Sequence, residues 1–305
     1  MQAIYGDPLM RVSADMPDDV HVLHDALQNI RDAYGVPGSV PSERTGVGLT
    51  LHLKNCGTAL RFLQVHLERC YPGAPVTLTG DPRLMERNGA PTSQTHSALL
   101  MHGIDIPASP DESPYITMTR RLMECYQPCM ADAIEPDWSA AAFWYEYVAI
   151  HGGELLLEDL TADSIQGDRI VADIYARHFG VRTTFTPDGA CLSAKRSVSD
   201  SGLSAKRSVS EAVSLDFGRT PDLYPAIALT CERLGITLQA DGTERLRYKE
   251  CDRLEAVRMH QTRHDHRMAM ALLVAGFPVD DTCCIRKSYP AFLEQFNLIR
   301  QTGSI

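Results

Sequence analysis

Short β-patterned runs alternate with helical ones along this chain, and that alternation constrains the fold more than any other feature. Val47-Gly48-Leu49-Thr50-Leu51-His52-Leu53 has the period of two expected of a half-buried strand. Asn55-Cys56-Gly57-Thr58-Ala59 then turns into an apolar helix, Leu60 to Leu67, and Val76-Thr77-Leu78-Thr79 is strand-like again. Before them, Met16-Pro17-Asp18-Asp19 opens a helix with Leu23, Leu27 and Ile30 at helical spacing, its acids at the positive end. Further helices are expected after Thr92-Ser93-Gln94, from Pro114-Tyr115-Ile116 to Met123, and over the strongly apolar run Trp138–Ile150. Gly153–Leu160 reads as a strand, and Ser164-Ile165-Gln166-Gly167-Asp168 leads into a helix. Such alternation defines an α/β protein.

The pattern relaxes between Gln127-Pro128 and Glu135-Pro136, which predicts two domains, 1–134 and 135–305. LSAKRSVS occurs at Leu192–Ser199 and again at Leu203–Ser210. Two copies are too few for a solenoid and suit a duplicated surface loop.

Composition narrows the function. The 305 residues carry 29 Lys and Arg against 39 Asp and Glu, a net charge of −10. That argues against a nucleic-acid binder, and the basic duplicated segment has no interleaved aromatics. Nine cysteines lack paired CxxC spacing and read as reduced, mostly buried thiols of a cytoplasmic protein. No run is long and apolar enough to suggest a membrane span.

Cations nevertheless crowd together with acids in ERLRYKECDRLEAVRMHQTRHDHRMAM, Glu244–Met270. One reading is a solvated helix face. The other is a site that grips a charged small anion and moves a proton. Lys249-Glu250-Cys251-Asp252-Arg253 places a base, an acid and a guanidinium on what is expected to be one helical turn, with Lys249 and Arg253 on the same face. His264-Asp265-His266-Arg267 repeats the theme, and Arg286-Lys287-Ser288-Tyr289-Pro290 adds cations. Asp222, in Thr220-Pro221-Asp222, is either the cap of the apolar helix Leu223–Leu229 or a carboxylate held at a cleft floor. Asn55–Arg61, Gly80–Arg87 and Thr92-Ser93-Gln94 each place anion-binding groups near a helix start, with capping or solvation as the plainer explanation.

In chain order, NCGTALRF, GDPRLMER, TSQ…SALLM, SPYI, EPDWSAA, SIQGD, TPDLYPAIAL, ERLRYKECDRLEA, DHRMAMA and KSYPAF resemble the 5-enolpyruvylshikimate-3-phosphate synthases. The resemblance implies a two-domain inside-out α/β barrel built from βαβαββ units, here with some units incomplete, and an active site in the cleft between the domains. It implies transfer of the enolpyruvyl group of phosphoenolpyruvate to the 5-hydroxyl of shikimate 3-phosphate, with release of phosphate. It implies no metal, no cofactor, no nucleic-acid or membrane partner, and a monomer.

Residue by residue, the resemblance gives Arg87, Arg253, Arg267 and Lys287 to phosphoenolpyruvate. Thr92, Ser93, Gln94, Tyr115, Asp222 and Lys249 fall to shikimate 3-phosphate. Asp222 is the candidate base and Glu250 the candidate acid. A related enolpyruvyl transferase acting on UDP-N-acetylglucosamine uses a loop cysteine, and no cysteine here has a recognisable counterpart.

The resemblance also locates departures. The family's opening strand and Lys-Ser-x-x-x-Arg word have no match, and residues 1–6 read as the helix that would follow them, so a truncated chain is expected. Only Asn88-Gly89-Ala90-Pro91 separates Arg87 from Thr92, and the stretch between Arg253 and His264 is short as well. Glu112 stands where the family has a serine, and an acid there is expected to repel phosphate. These departures define the alternative: a catalytically impaired relative that at most binds anions.

Overall fold

The structure, a computed structural model, describes residues 1–38, 48–86, 92–109, 112–126, 134–195 and 212–302. They fall into two compact units, Met1–Ile134 and Glu135–Ile305.

The first unit contains α1 (Gln2–Tyr5), α2 (Asp18–Tyr34), β1 (Leu49–His52), α3 (Gly57–Cys70), β2 (Val76–Thr79), α4 (Pro82–Glu86), α5 (Ser93–Met101) and α6 (Pro114–Cys125). β1 and β2 pair in parallel, Leu49 opposite Val76, with α3 as the crossover. Parallel strands need such a crossover because a hairpin cannot reverse the chain twice. Ile30, Leu53, Ala59, Leu60 and Leu63 form the centre of this unit's core, each at most 1% exposed. Cys56 caps α3 by accepting the Ala59 N–H at 3.3 Å. The Arg61 guanidinium folds back over Gly57 and donates to its carbonyl at 3.1 Å.

The second unit contains α7 (Trp138–His151), β3 (Gly153–Glu158), α8 (Val171–His178), β4 (Arg182–Thr186), β5 (Gly189–Ala194), β6 (Ala212–Asp216), α9 (Tyr224–Leu234), β7 (Thr237–Asp241), α10 (Arg253–Met259), α11 (His266–Ala275) and α12 (Phe292–Thr302). α7 is apolar on nearly all sides, as a helix must be when neighbours cover it all round. Trp138, Phe143, Trp144 and Tyr145 are each at most 2% exposed. α9 and α11 pack against α7, and so do β3 and β5. β3, β5 and β4 form an antiparallel sheet in that order, and β6 pairs with β7 in parallel. The β4–β5 hairpin turns at Gly189, with φ +141°, where a Cβ would lie 2.2 Å from the Leu157 carbonyl oxygen. No other residue fits both the angle and the approach.

The α/β reading holds: helices surround small sheets of two, three and two strands among the described residues. The second copy of the duplicated LSAKRSVS lies outside those residues, and the first enters β5 at Leu192. All the described cysteines are free. No helix among the described residues is long and apolar enough to cross a membrane.

Candidate active site

The charged words of the second unit converge, and short helices place them. Asp265 caps α11, accepting the N–H groups of Arg267 at 2.9 Å and Met268 at 3.4 Å. A carboxylate is favoured there by the unpaired N–H groups and the helix dipole. The same carboxylate, 0% exposed, accepts Arg253 Nε at 2.7 Å and Nη2 at 3.2 Å. Asp252 caps α10 in the same manner, through Leu254 and Glu255. Lys249-Glu250-Cys251 is therefore not helical. It is a connection between the 3-10 turn Glu244–Tyr248 and α10, with Lys249 extended at ψ −159°. This corrects the expectation that Lys249 and Arg253 share one helical turn. Asp252, three residues after Lys249, claims the helix start instead, because its side chain competes with a continuous helix for the backbone N–H groups.

Lys249 and Arg253 still meet, at Asp222. This residue lies in the 3-10 turn Pro221–Leu223 before α9. Its Oδ1 accepts Arg253 Nη1 at 2.8 Å and lies 3.1 Å from Lys249 Nζ, while Oδ2 lies 3.4 Å from Arg267 Nη2. Glu250 forms the second centre. Its Oε1 accepts Lys287 Nζ at 2.5 Å, and its Oε2 is 2.9 Å from His266 Nδ1. Arg253 is 2% exposed and has three of its five N–H donors engaged by Asp222 and Asp265. The side chains of Lys249, Lys287 and Arg267 are 28%, 16% and 13% exposed, so their tips reach solvent.

Burial alone would push both carboxyls up. For Asp222 the cations Arg267, Lys249 and Arg253 overcome it and hold the group well below the usual range. For Glu250 burial is overcome by His266, Lys287 and Arg253, and its carboxyl too is strongly depressed. Both acids are thus ionised in the free site. Asp168 behaves in the opposite sense. Burial and the nearby Asp222 charge raise it to about 6, against the hydrogen bond from Ser139 and the pull of Arg267. Lys249, Arg253, Arg267 and Lys287 converge on Asp222, Glu250 and Asp265, which concentrates cations in one corner of a chain of net charge −10. That is the field an anionic substrate requires. Glu250, Asp265 and His266 also bring ligand-type atoms within 4.8 Å of one another, but Lys287 and Arg253 already neutralise those carboxylates.

The SIQGD and EPDW words meet through one side chain. Gln166 donates to Glu135 Oε2 at 3.1 Å and to the Pro136 carbonyl at 2.7 Å, and accepts the Trp138 N–H at 2.9 Å. This seats Asp168 beside Ser139 at the start of α7.

In the first unit, Thr92 caps α5 in a reciprocal box with Thr95, both bonds at 3.3 Å. Ser93 is the first residue of α5, and Tyr115 lies in the first turn of α6, its carbonyl accepting Thr119 Oγ1 at 2.8 Å. Gln94 joins two separate words: it donates to Thr58 Oγ1 at 2.7 Å and accepts Arg61 Nη1 at 3.1 Å. Arg87 lies outside the described residues. Glu112 is engaged by Arg120, Nε at 3.1 Å and Nη2 at 3.0 Å, and accepts Thr117 Oγ1 at 3.2 Å. Its charge is therefore balanced within the protein.

Reading the sequence assigned no role to Asp168, Ser139, Asp265, His266 or Arg61. Asp265 and His266 sit inside the DHR word, and their adjacency to Arg267 was the available signal. Nothing in the local sequence pairs Ser139 with Asp168.

The second unit is thus an α/β domain whose clustered acids and largely covered cations suit anion binding and proton movement. Residues 127–260 match the family model of EPSP synthase (3-phosphoshikimate 1-carboxyvinyltransferase). The chain is 28% identical over 315 residues to the 3-phosphoshikimate 1-carboxyvinyltransferase of Bacteroides fragilis (strain YCH46), covering 80% of this chain and 73% of that protein. It is 24% identical over 360 residues to the enzyme of that name from Methanosphaerula palustris, covering 86% of this chain and 82% of the relative. The corresponding figures for Methanopyrus kandleri are 28% over 303 residues, 79% and 66%. Family model and relatives agree in kind: residues 127–260 are similar to the EPSP synthase model, and the chain is similar to these enzymes over most of its length. The first and second of these alignments are longer than the 305-residue chain itself, so those relatives carry stretches that this chain lacks.

Proposed function

We propose that this chain is a 3-phosphoshikimate 1-carboxyvinyltransferase, moving the enolpyruvyl group of phosphoenolpyruvate onto the 5-hydroxyl of shikimate 3-phosphate and releasing phosphate. The observation that carries the reading is the paired cluster itself. Asp222 and Glu250 are separate acids, each held ionised by its own cations. Two proton-transfer groups and a shared anion grip are what this addition and elimination require.

The free site is neutralised from within. A bound dianion competes with Asp222 and Glu250 for Arg267, Lys287 and Arg253 and weakens the pull that keeps those acids ionised. Glu250 then becomes basic enough to take a proton, with His266 Nδ1 2.9 Å away as a hydrogen-bonded neighbour able to relay it. Glu250 delivers that proton to the methylene carbon, making C2 electrophilic. Asp222 accepts the proton of the attacking hydroxyl, and the new C–O bond forms at C2. Return of a methyl proton to Glu250 restores the double bond as the phosphate leaves, and Arg267 and Lys287 stabilise its departing charge. Arg253 sits deepest and holds Asp222 in place. Arg87 joins the phosphoenolpyruvate grip. Lys249 of the C-terminal domain and Thr92, Ser93, Gln94 and Tyr115 of the N-terminal domain hold shikimate 3-phosphate. With this reading go the incomplete inside-out barrel, a monomer, and a cytoplasmic location.

The test is phosphate release by the purified 305-residue chain, with Glu250→Gln as its partner. Release that needs both substrates and falls about 10²–10⁴-fold in the variant is the expected result. A folded wild-type chain that releases none is instead the catalytically impaired relative.

A further inference from the structure

A second cluster of reactive side chains lies in the first unit, apart from every residue used above. His66 and Cys70 are four residues apart on α3, so they share a face one turn apart. α3 packs along α5, and His102 is the residue that ends α5. One nitrogen of each imidazole and Cys70 Sγ lie within 4.8 Å of one another. Cys70 Sγ and His102 Nδ1 are 3.8 Å apart, and the two imidazole rings are 5.4 Å apart between centroids.

His66 is 5% exposed, and its Nδ1 is buried with no hydrogen-bond partner. An orphaned polar atom in that position costs free energy. Packing offers no return for it, since an apolar residue would fill the same space. Cys70 and His102 are only half-buried, which leaves an approach from solvent.

We propose that His66, Cys70 and His102 form a metal site for zinc or a similar borderline-soft divalent ion, with a fourth position left to solvent. Zn–N bonds of about 2.0–2.1 Å and a Zn–S bond of about 2.3 Å at tetrahedral angles put donor atoms roughly 3.3–3.7 Å apart. The Cys70–His102 pair already stands near that spacing, and rotation of side chains closes the rest. On binding, the Cys70 thiol releases its proton to solvent and the sulfur becomes a thiolate ligand. Such a site would tie the end of α5 to α3, a structural role distinct from the reaction.

The test is a titration of the chelator-treated chain with Co²⁺, followed by absorption, and then displacement by Zn²⁺. One Co²⁺ per chain with a thiolate-to-cobalt band in the near ultraviolet is expected. Cys70→Ser should lose the band, and His102→Asn should bind at least about tenfold more weakly, each with unchanged circular dichroism. X-ray absorption on the zinc-loaded wild-type chain gives a readout free of variants: a shell with one sulfur and two imidazoles is expected. The proposal is overturned by a folded wild-type chain that shows no thiolate band, by a band that survives in Cys70→Ser, or by a shell containing only oxygen and nitrogen.

Discussion

The two units use the same kinds of residue differently. In the second, each charged word finds its partner in a distant one: Asp222 with Arg253, and Glu250 with Lys287. In the first, the corresponding words mostly close on themselves. Thr92 bonds to Thr95 and Cys56 bonds to Ala59, while Gln94 reaches across to Thr58 and Arg61. The cores differ in the same sense. The second unit sets Trp138, Phe143, Trp144, Tyr145 and Phe292 around its central helices, whereas the first packs smaller aliphatic side chains around a two-stranded sheet. A word whose side chains are satisfied locally folds into a cap whether or not it also binds a ligand. A word that needs remote partners of opposite charge, in a buried place, marks a site built for something other than stability. Buried ion pairs contribute little net stability over apolar packing.

The sharpest way to break that contrast is Arg253→Ala. It would leave buried Asp265 without its guanidinium partner and take one of three cations from Asp222, and should cost about 3–5 kcal/mol of stability. Denaturant melts check this, and a loss below about 1 kcal/mol would place Arg253 with ordinary surface cations.

Next in size is the effect of Asp168→Asn, which tests the field around Asp222. The Asp168 carboxyl, raised to about 6, holds its proton more tightly in the folded state than in the unfolded chain. Its contribution to stability is therefore complete below the unfolded value, about 3.9, and is lost as pH rises through about 6. Asp222 and Glu250, depressed, contribute in the opposite sense and lose their part only as pH falls into the acid range. The variant should abolish the decline between about pH 4 and pH 6 and leave the acid limb unchanged. Urea midpoints across that range measure it, and an undiminished decline would mean that Asp168 is not its source.

The smallest effect belongs to the first unit. Thr92→Ala removes a helix cap and should cost about 0.5–2 kcal/mol. If the hydroxyl also holds shikimate 3-phosphate, the KM for that substrate rises as well, and steady-state kinetics separate the two roles.

How much of this was legible in the sequence depended on range. The strands at Leu49–His52 and Val76–Thr79 follow from their alternation, and the helix Trp138–His151 from its nearly unbroken apolar run. Asp222, Lys249, Glu250, Arg253, Arg267 and Lys287 were each readable as candidates, from the crowding of cations with acids and from the resemblance of the words that hold them. Their pairing was not. The helix expected at Lys249–Arg253 was displaced by the Asp252 cap, and the guanidinium reaches Asp222 from a different backbone conformation than the spacing suggested. The contact between Ser139 and Asp168 rests on tertiary packing and left no local trace. The His66–Cys70 spacing likewise becomes a cluster only when α5 brings His102 beside it.

The claim that Glu250 carries a proton to the substrate carbon has a direct test. The 305-residue chain is run in deuterium oxide with phosphoenolpyruvate and shikimate 3-phosphate, and the vinyl methylene of the product is examined by mass spectrometry and proton NMR. Reversible protonation of that carbon predicts deuterium in the methylene, with both label and turnover collapsing in Glu250→Gln. Product formed without deuterium, or labelled at the same rate in Glu250→Gln, would contradict the account.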